Sequence, residues 1–333
     1  MLSFKEYLSE ANPIEDKKAR DEAKIIWNRV VAKIKKDSKS SSPYKLKIFS
    51  NALGLDVGGF LKDPKLFGLG LYFAPHNQKY QGAFIPGWDM EHQIAFAVMT
   101  PNDPAPITMK IPKQMQMNFL LLSKLIDKNK KLMQQIFMHE FIHYKDFLRT
   151  KNKDYWKVGT LTKAGDTLVD YHNDPREVNA HYQEFVGELD SWLKDFRLKK
   201  IKKIESSISQ FNRAKTDKQI GDALYLMHSM VGLHSLLKDY SRSPRLYINK
   251  FENTEASKPS QLFMKNLNAT NRKKVLARLY QHFDQVHKKE IEKYIKYIKS
   301  IAKKLKNDKV MDFIKTEYKK TNNYDELVDL GIR

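Results

Sequence analysis

One segment interrupts an otherwise helical pattern. Between residues 68 and 100 the sequence reads GLGLYFAP, GAFIPG and QIAFAVMT, short β-rich runs separated by HNQKYQ and GWDMEH. Two turns and a three-stranded meander are the simplest arrangement of such runs. Pro101, Pro104, Pro106 and Pro112 hold off any helix until after Lys113, because proline lacks the amide donor and clashes with the preceding turn. Beyond that point apolar residues recur at spacings of three and four, as in Ile291, Tyr294, Ile295, Ile298, Ile301 and Leu305, the pattern of helices with one apolar face. Upstream, a short amphipathic element stops at Ala11-Asn12-Pro13, a helix is expected over residues 15–36, and SKSSSP at 38–43 reads as a linker. One small sheet among many helices makes this an α+β chain.

With 333 residues, 41% of them hydrophobic, the chain has apolar material for one large or two medium domains. It contains no cysteine. That excludes a disulfide framework, a Cys-based zinc finger, an iron–sulfur cluster and a thiol nucleophile, so a metal here must be held by His, Asp or Glu. No run of 18 apolar residues occurs, and Lys5, Glu6 and Glu10 interrupt the N-terminus where a signal peptide needs an apolar stretch; neither export by that route nor a membrane partner is expected. Sixty basic against 39 acidic residues give a formal net charge of +21, which favours a polyanionic neighbour. The charge is uneven: residues 191–333 hold 32 basic and 16 acidic residues, a net of +16, and leave +5 for residues 1–190.

The chemistry is carried by His139-Glu140-Phe141-Ile142-His143, an H-E-x-x-H motif in a helix expected over about residues 130–150. Residues four apart sit one turn above each other, so both imidazoles leave one face and reach a single ion, while Glu140 lies about 100° around the axis, beside the water that ion would hold. Two neutral imidazoles and one carboxylate leave Zn²⁺ with net positive charge and an open position, and the neighbouring Glu is placed to take a proton from the water. Leu132, Ile136, His139 and His143 fall in one line, and Met133, Phe137, Phe141, Ile142, Phe147 and Leu148 occupy the other faces. Such a helix is buried, and buried imidazoles and a carboxylate are costly unless something binds them. A third ligand is sought in a helix starting at Asp174-Pro175, a good N-cap and first helical residue, which carries Glu177, Ala180, His181 and Glu184. Asp174-x-x-Glu177 also reads as a capping box.

His139-Glu140-x-x-His143 followed by a helix with Glu177-x-x-Ala180 resembles the gluzincin branch of the zincin metallopeptidases. The resemblance spans about residues 65–190, with 33 residues between His143 and Glu177. It implies a zincin-like small sheet with an active-site helix and a Glu-bearing helix. It also implies that Glu177 is the third Zn²⁺ ligand, Glu140 the general base and then acid, and the substrate a protein or peptide. Tyr171, or His181 in its place, would donate to the tetrahedral oxyanion. The small residue Ala180 would let the second helix approach the first, and residues 93–99 would form the edge strand that runs antiparallel to substrate. Asp146 stands where metzincins have glycine, so their longer motif is absent, and Asp146 is either a second acceptor behind a ligand or a surface acid.

The N-terminus, MLSFKEYLSEA, resembles the capsid-targeting segments of internal head proteins of T-even-like tailed phages, which end in Leu-x-Glu. That resemblance implies cleavage by a prohead protease after Glu10 and a location in the virion head, then in the cytoplasm of the infected host. The basic helices from residue 192, with LKKIKK, NRKKVLARLY and KSIAKKLKNDK, suit sequence-blind contact with packaged DNA; a charged helical domain without such contact gives the same pattern. The expected organisation is a removable segment at 1–10, a helical N-terminal region at 11–60, a zincin-like domain at 61–190 and a basic all-helical domain at 191–333. The competing readings are a non-catalytic, DNA-associated head protein on a zincin scaffold and a cellular zinc hydrolase.

Overall fold

The computed structural model describes residues 13–40, 44, 46–49, 52–75, 82–87, 91–99, 112–150 and 167–332. The segment at 1–10, its cleavage position and the run at 101–110 lie outside these residues. The chain divides into two units, one running to Glu184 and including Asn266–Asn268, the other formed by Phe185–Lys265 and Ala269–Arg333. The division falls six residues before the 190/191 boundary read from charge.

In the first unit, helix α1 (Pro13–Asp37) has proline in its first turn, where the missing amide costs nothing, and Lys35 and Lys36 at its carbonyl end. Its buried face is Ala23, Ile26, Trp27, Val30 and Ile34. Strands β1 (Lys47–Phe49), β2 (Ala52–Asp56), β3 (Leu69–Pro75), β4 (Gly82–Ile85) and β5 (His92–Met99) form one sheet in the order β1-β2-β3-β5-β4. Leu53, Leu55, Leu69, Leu71, Phe73, Ile94, Phe96 and Val98, at alternate positions of their strands, share one face of the sheet and join the core, while Gly54, Gly70 and Tyr72 on the other face of β2 and β3 are buried as well. Short helix α2 (Val57–Leu61) is capped by Asp56, which accepts from the Gly59 amide. Helices α3 (Pro112–Lys128) and α4 (Lys130–Thr150) pack with α1, and α4 lies on β4 and β5. Trp27 joins the layers, with its ring 5.3 Å from Phe137 on α4 and 5.7 Å from Phe96 on β5.

Three expectations need correction. Region 11–60 is helical over α1 and the start of α2 but also supplies β1 and β2. The strands after residue 68 are not a meander: β3 and β5 pair in parallel, and β4 pairs antiparallel to β5 on its far side. Consequently residues 93–99 are interior, and β4 and β1 are the terminal strands among the described residues. Helix α3 starts at Pro112 itself, since a first-turn proline is tolerated.

Helix α5 (Leu168–Asn173), closed by a capping box between Thr167 and Asp170, leads into α6 (Pro175–Phe196). Asn173 fixes this corner by donating to the Asn266 carbonyl at 2.8 Å and accepting from the Asn268 amide at 2.9 Å.

The second unit is helical throughout its described residues. After a π-helical turn at Arg197–Ile201 come α7 (Lys202–Ser206), α8 (Ile208–Arg213), α9 (Asp217–Arg242), α10 (Pro244–Thr254), α11 (Lys258–Asn266) and α12 (Ala269–His282). A second π-helical turn at Phe283–His287 precedes α13 (Lys288–Ala302), α14 (Asp308–Lys320) and α15 (Tyr324–Leu330). Leu237, Tyr247, Phe251, Leu279, Phe283, Ile291, Ile298, Ile314 and Leu327 are buried there. The α+β class with a mostly helical basic region therefore holds. Among the described residues, no helix is long and apolar enough to cross a membrane.

Candidate metal centre

Helix α4 spans Lys130–Thr150, and its H-E-x-x-H residues are buried: His139, Glu140 and His143 are 8%, 7% and 5% exposed. Helix α6 brings Glu177, 6% exposed, against the two imidazoles. His139 Nε2 lies 3.2 Å from Glu177 Oε2 and 3.2 Å from His143 Nε2, and His143 Nε2 lies 3.5 Å from Glu177 Oε2. A tetrahedral Zn²⁺ with bonds of about 2.0–2.1 Å has ligand-to-ligand edges of about 3.3–3.4 Å. The three donors match one face of that tetrahedron in both spacing and chemistry. Glu177 thus meets the imidazoles, the geometry that its reading as a ligand requires. Ala180, one turn further along α6, is fully buried.

The electrostatics of the cluster suit a positive charge among its carboxylates. Burial works against charge on His139 and His143, yet Glu184 and Glu177 outweigh it at His139, and Glu177 does so at His143, so both pKa values rise. Burial likewise opposes ionisation of Glu177, but the two imidazoles overcome it and hold the carboxyl well below its usual range. The shifts favour ionised carboxylates balanced by protons on the rings. A dication would displace those protons and supply the same balance.

Glu140 is raised above the ordinary carboxylate range, first by burial. Its carboxylate faces strand β4: a Cβ built on Gly82 would lie 3.2 Å from Glu140 Oε1 and would collide with Ile136. Only glycine lets the strand come this close. Tyr171, brought in by α5, is pushed well above the usual phenol pKa by burial, then by Glu177 and Glu140, so its hydroxyl keeps its proton beside the site.

Glu184 is the residue whose role the sequence reading missed. It stands seven residues after Glu177 on α6, with Oε1 3.4 Å from His139 Nδ1 and Oε2 2.9 Å from His181 Nδ1. A carboxylate behind a ligating histidine fixes the tautomer that leaves Nε2 free for the ion. The signal available in the sequence was the two-turn spacing from Glu177. His181 is therefore engaged by Glu184, and its ring packs 5.4 Å from that of Tyr171. Asp146 is buried, accepting from Asn179 Nδ2 at 2.7 Å and Arg149 at 3.1 Å; it ties α4 to α6 and is not a surface acid. Glu184→Gln is expected to weaken Zn²⁺ binding by roughly 10- to 100-fold with unchanged circular dichroism, measured by competition with a chromophoric chelator. Unchanged affinity would remove the orienting role.

Comparison with known protein families, curated proteins and solved structures finds no match to this chain.

Proposed function

We propose that the chain is a zinc-dependent metallopeptidase. The observation that supports this reading is the donor triangle of His139, His143 and Glu177 lying beside the buried carboxylate of Glu140. These three residues would hold Zn²⁺, which supplies Lewis-acid polarisation of the scissile carbonyl and acidifies the attacking water towards neutrality. Glu140 accepts the proton from that water and returns it to the leaving amine; its raised pKa suits both steps. Glu184 holds His139 in register. Tyr171 is placed to donate to the oxyanion in the transition state. Strand β4 ends the sheet among the described residues and presents an edge to which an extended peptide adds as a further strand. That edge passes Glu140 at Gly82.

The full chain should cleave an unfolded protein, lose that activity to a chelator, and regain it with added Zn²⁺. Failure of the Zn²⁺-saturated protein to cleave any of a diverse peptide library would overturn the reading.

The N-terminal segment and the basic composition support packaging in a phage head, with residues 191–333 contacting DNA non-specifically and salt-sensitively. The expected result is an N-terminus at Ala11 in assembled particles and at Met1 when the protein is made alone, with Glu10→Ala blocking the change. Intact mass spectrometry checks this. A full-length chain in mature particles would rule out the processing.

A further inference from the structure

We propose that Asp190, His282 and His287 form a second metal site, for a divalent first-row transition cation, inside the helical unit. The proposal is independent of the centre around His139.

The three side chains come from distant positions: Asp190 lies on α6, His282 ends α12, and His287 ends the π-helical turn that follows it. In a regular α-helix, residues five apart diverge by about 140° around the axis. The π-helical turn at Phe283–His287 widens the repeat so that positions five apart come into register. The two imidazoles accordingly stand together, with ring centroids 4.9 Å apart, on one side of the helix. Such single π turns are uncommon and concentrate at functional sites.

Both rings are 1% exposed, and both aim Nε2 at the same oxygen: Asp190 Oδ1 lies 2.9 Å from His282 and 2.7 Å from His287, hydrogen-bond distances that an entering ion would widen by about half an ångström. The ligand atoms of all three residues lie within 4.8 Å of one another. Two imidazoles and one carboxylate are the donor set preferred by zinc and its first-row neighbours, and three donors leave positions open. The Asp190 side chain is 26% exposed, so the cluster has a route for an ion to enter. Behind His287, the Tyr247 hydroxyl lies 2.8 Å from Nδ1. With Nδ1–H donated to the phenol oxygen, Nε2 is left as the donor to a cation, the arrangement that orients metal-bound histidines. The competing structure is a hydrogen-bonded core triad with no ion.

Zinc is the sufficient probe, because such sites bind it more tightly than manganese or iron. The full chain, stripped with chelator, is saturated with Zn²⁺ and crystallised, and anomalous differences are collected at the zinc edge. The expected map has a peak bonded to Asp190, His282 and His287, whether or not a peak occurs at His139, His143 and Glu177. In solution, Asp190→Asn should bind one equivalent less than the wild type, and Tyr247→Phe should bind at that site roughly 10- to 100-fold more weakly. A Zn²⁺-saturated crystal with no peak at the three side chains would overturn the proposal and leave the hydrogen-bonded triad. Undiminished zinc in a folded Asp190→Asn would do the same. Should Asp190→Asn fail to fold, the map on the wild-type chain decides alone.

Discussion

Glu140→Gln is expected to retain zinc as the wild type does and to lose peptide hydrolysis by roughly 100- to 10,000-fold. The amide keeps the size of the side chain between α4 and β4 but cannot accept and return a proton. The proposed ligand atoms belong to His139, His143 and Glu177, so nothing that would hold the ion is removed. The variant thereby separates the base from the scaffold. Steady-state rates on a fluorogenic peptide, taken beside elemental analysis of the same samples, check it. Zinc loss in this variant would mean that Glu140 is a ligand and that the roles are misassigned. An unchanged rate would mean that another group handles the proton.

The second large effect is on stability. Buried Glu177 faces His139 and His143, half-buried Glu184 faces His139 from its other ring nitrogen, and both carboxyls are held below their usual pKa range by these rings; an ion bound to the folded state alone would stabilise that state by mass action. At a free Zn²⁺ concentration about 1,000 times the dissociation constant the gain is about 4 kcal/mol. For a unit of this size that corresponds to roughly 10 °C in melting temperature. Scanning calorimetry of the full chain should therefore show the transition of the first unit falling by about that amount when chelator is added. In Glu177→Gln the same transition should not respond. A chelator-insensitive transition in the wild type would contradict a bound ion at this centre.

What the sequence made legible follows from what local pattern encodes. Helices α4 and α6 were readable because H-E-x-x-H sets two residues on one face and Asp174-Pro175 marks a helix start; both elements begin where expected. Strands β1 and β2 were not, because KIF is three residues long and ALGLD carries a glycine, so neither shows an alternation long enough to register. The edge strand was misplaced for a different reason. The eight residues of β5 look more strand-like than the four of β4, but which strand ends the sheet depends on the parallel pairing of β3 with β5, and local pattern does not carry that pairing. The pair His139 and His143 was visible as spacing, whereas Glu177 as their partner came from the resemblance and not from local pattern. Glu184 behind His139 was visible as a position without a partner, since its contact exists only once α6 packs on α4 in the first unit. Asp190 and His282, 92 residues apart, share no sequence signal, and nothing local announces the π-helical turn that aligns His282 with His287.

The most direct test of the account is zinc content. The wild type and Glu177→Gln, both saturated with Zn²⁺ and freed of excess, are compared by elemental analysis, with circular dichroism to show that each is folded. The account predicts that Glu177→Gln holds one equivalent of zinc fewer per chain than the wild type, whatever binds elsewhere. Equal zinc in the two proteins would contradict it, and would leave Glu177 as a helix-terminal carboxylate next to two histidines that hold no ion with it.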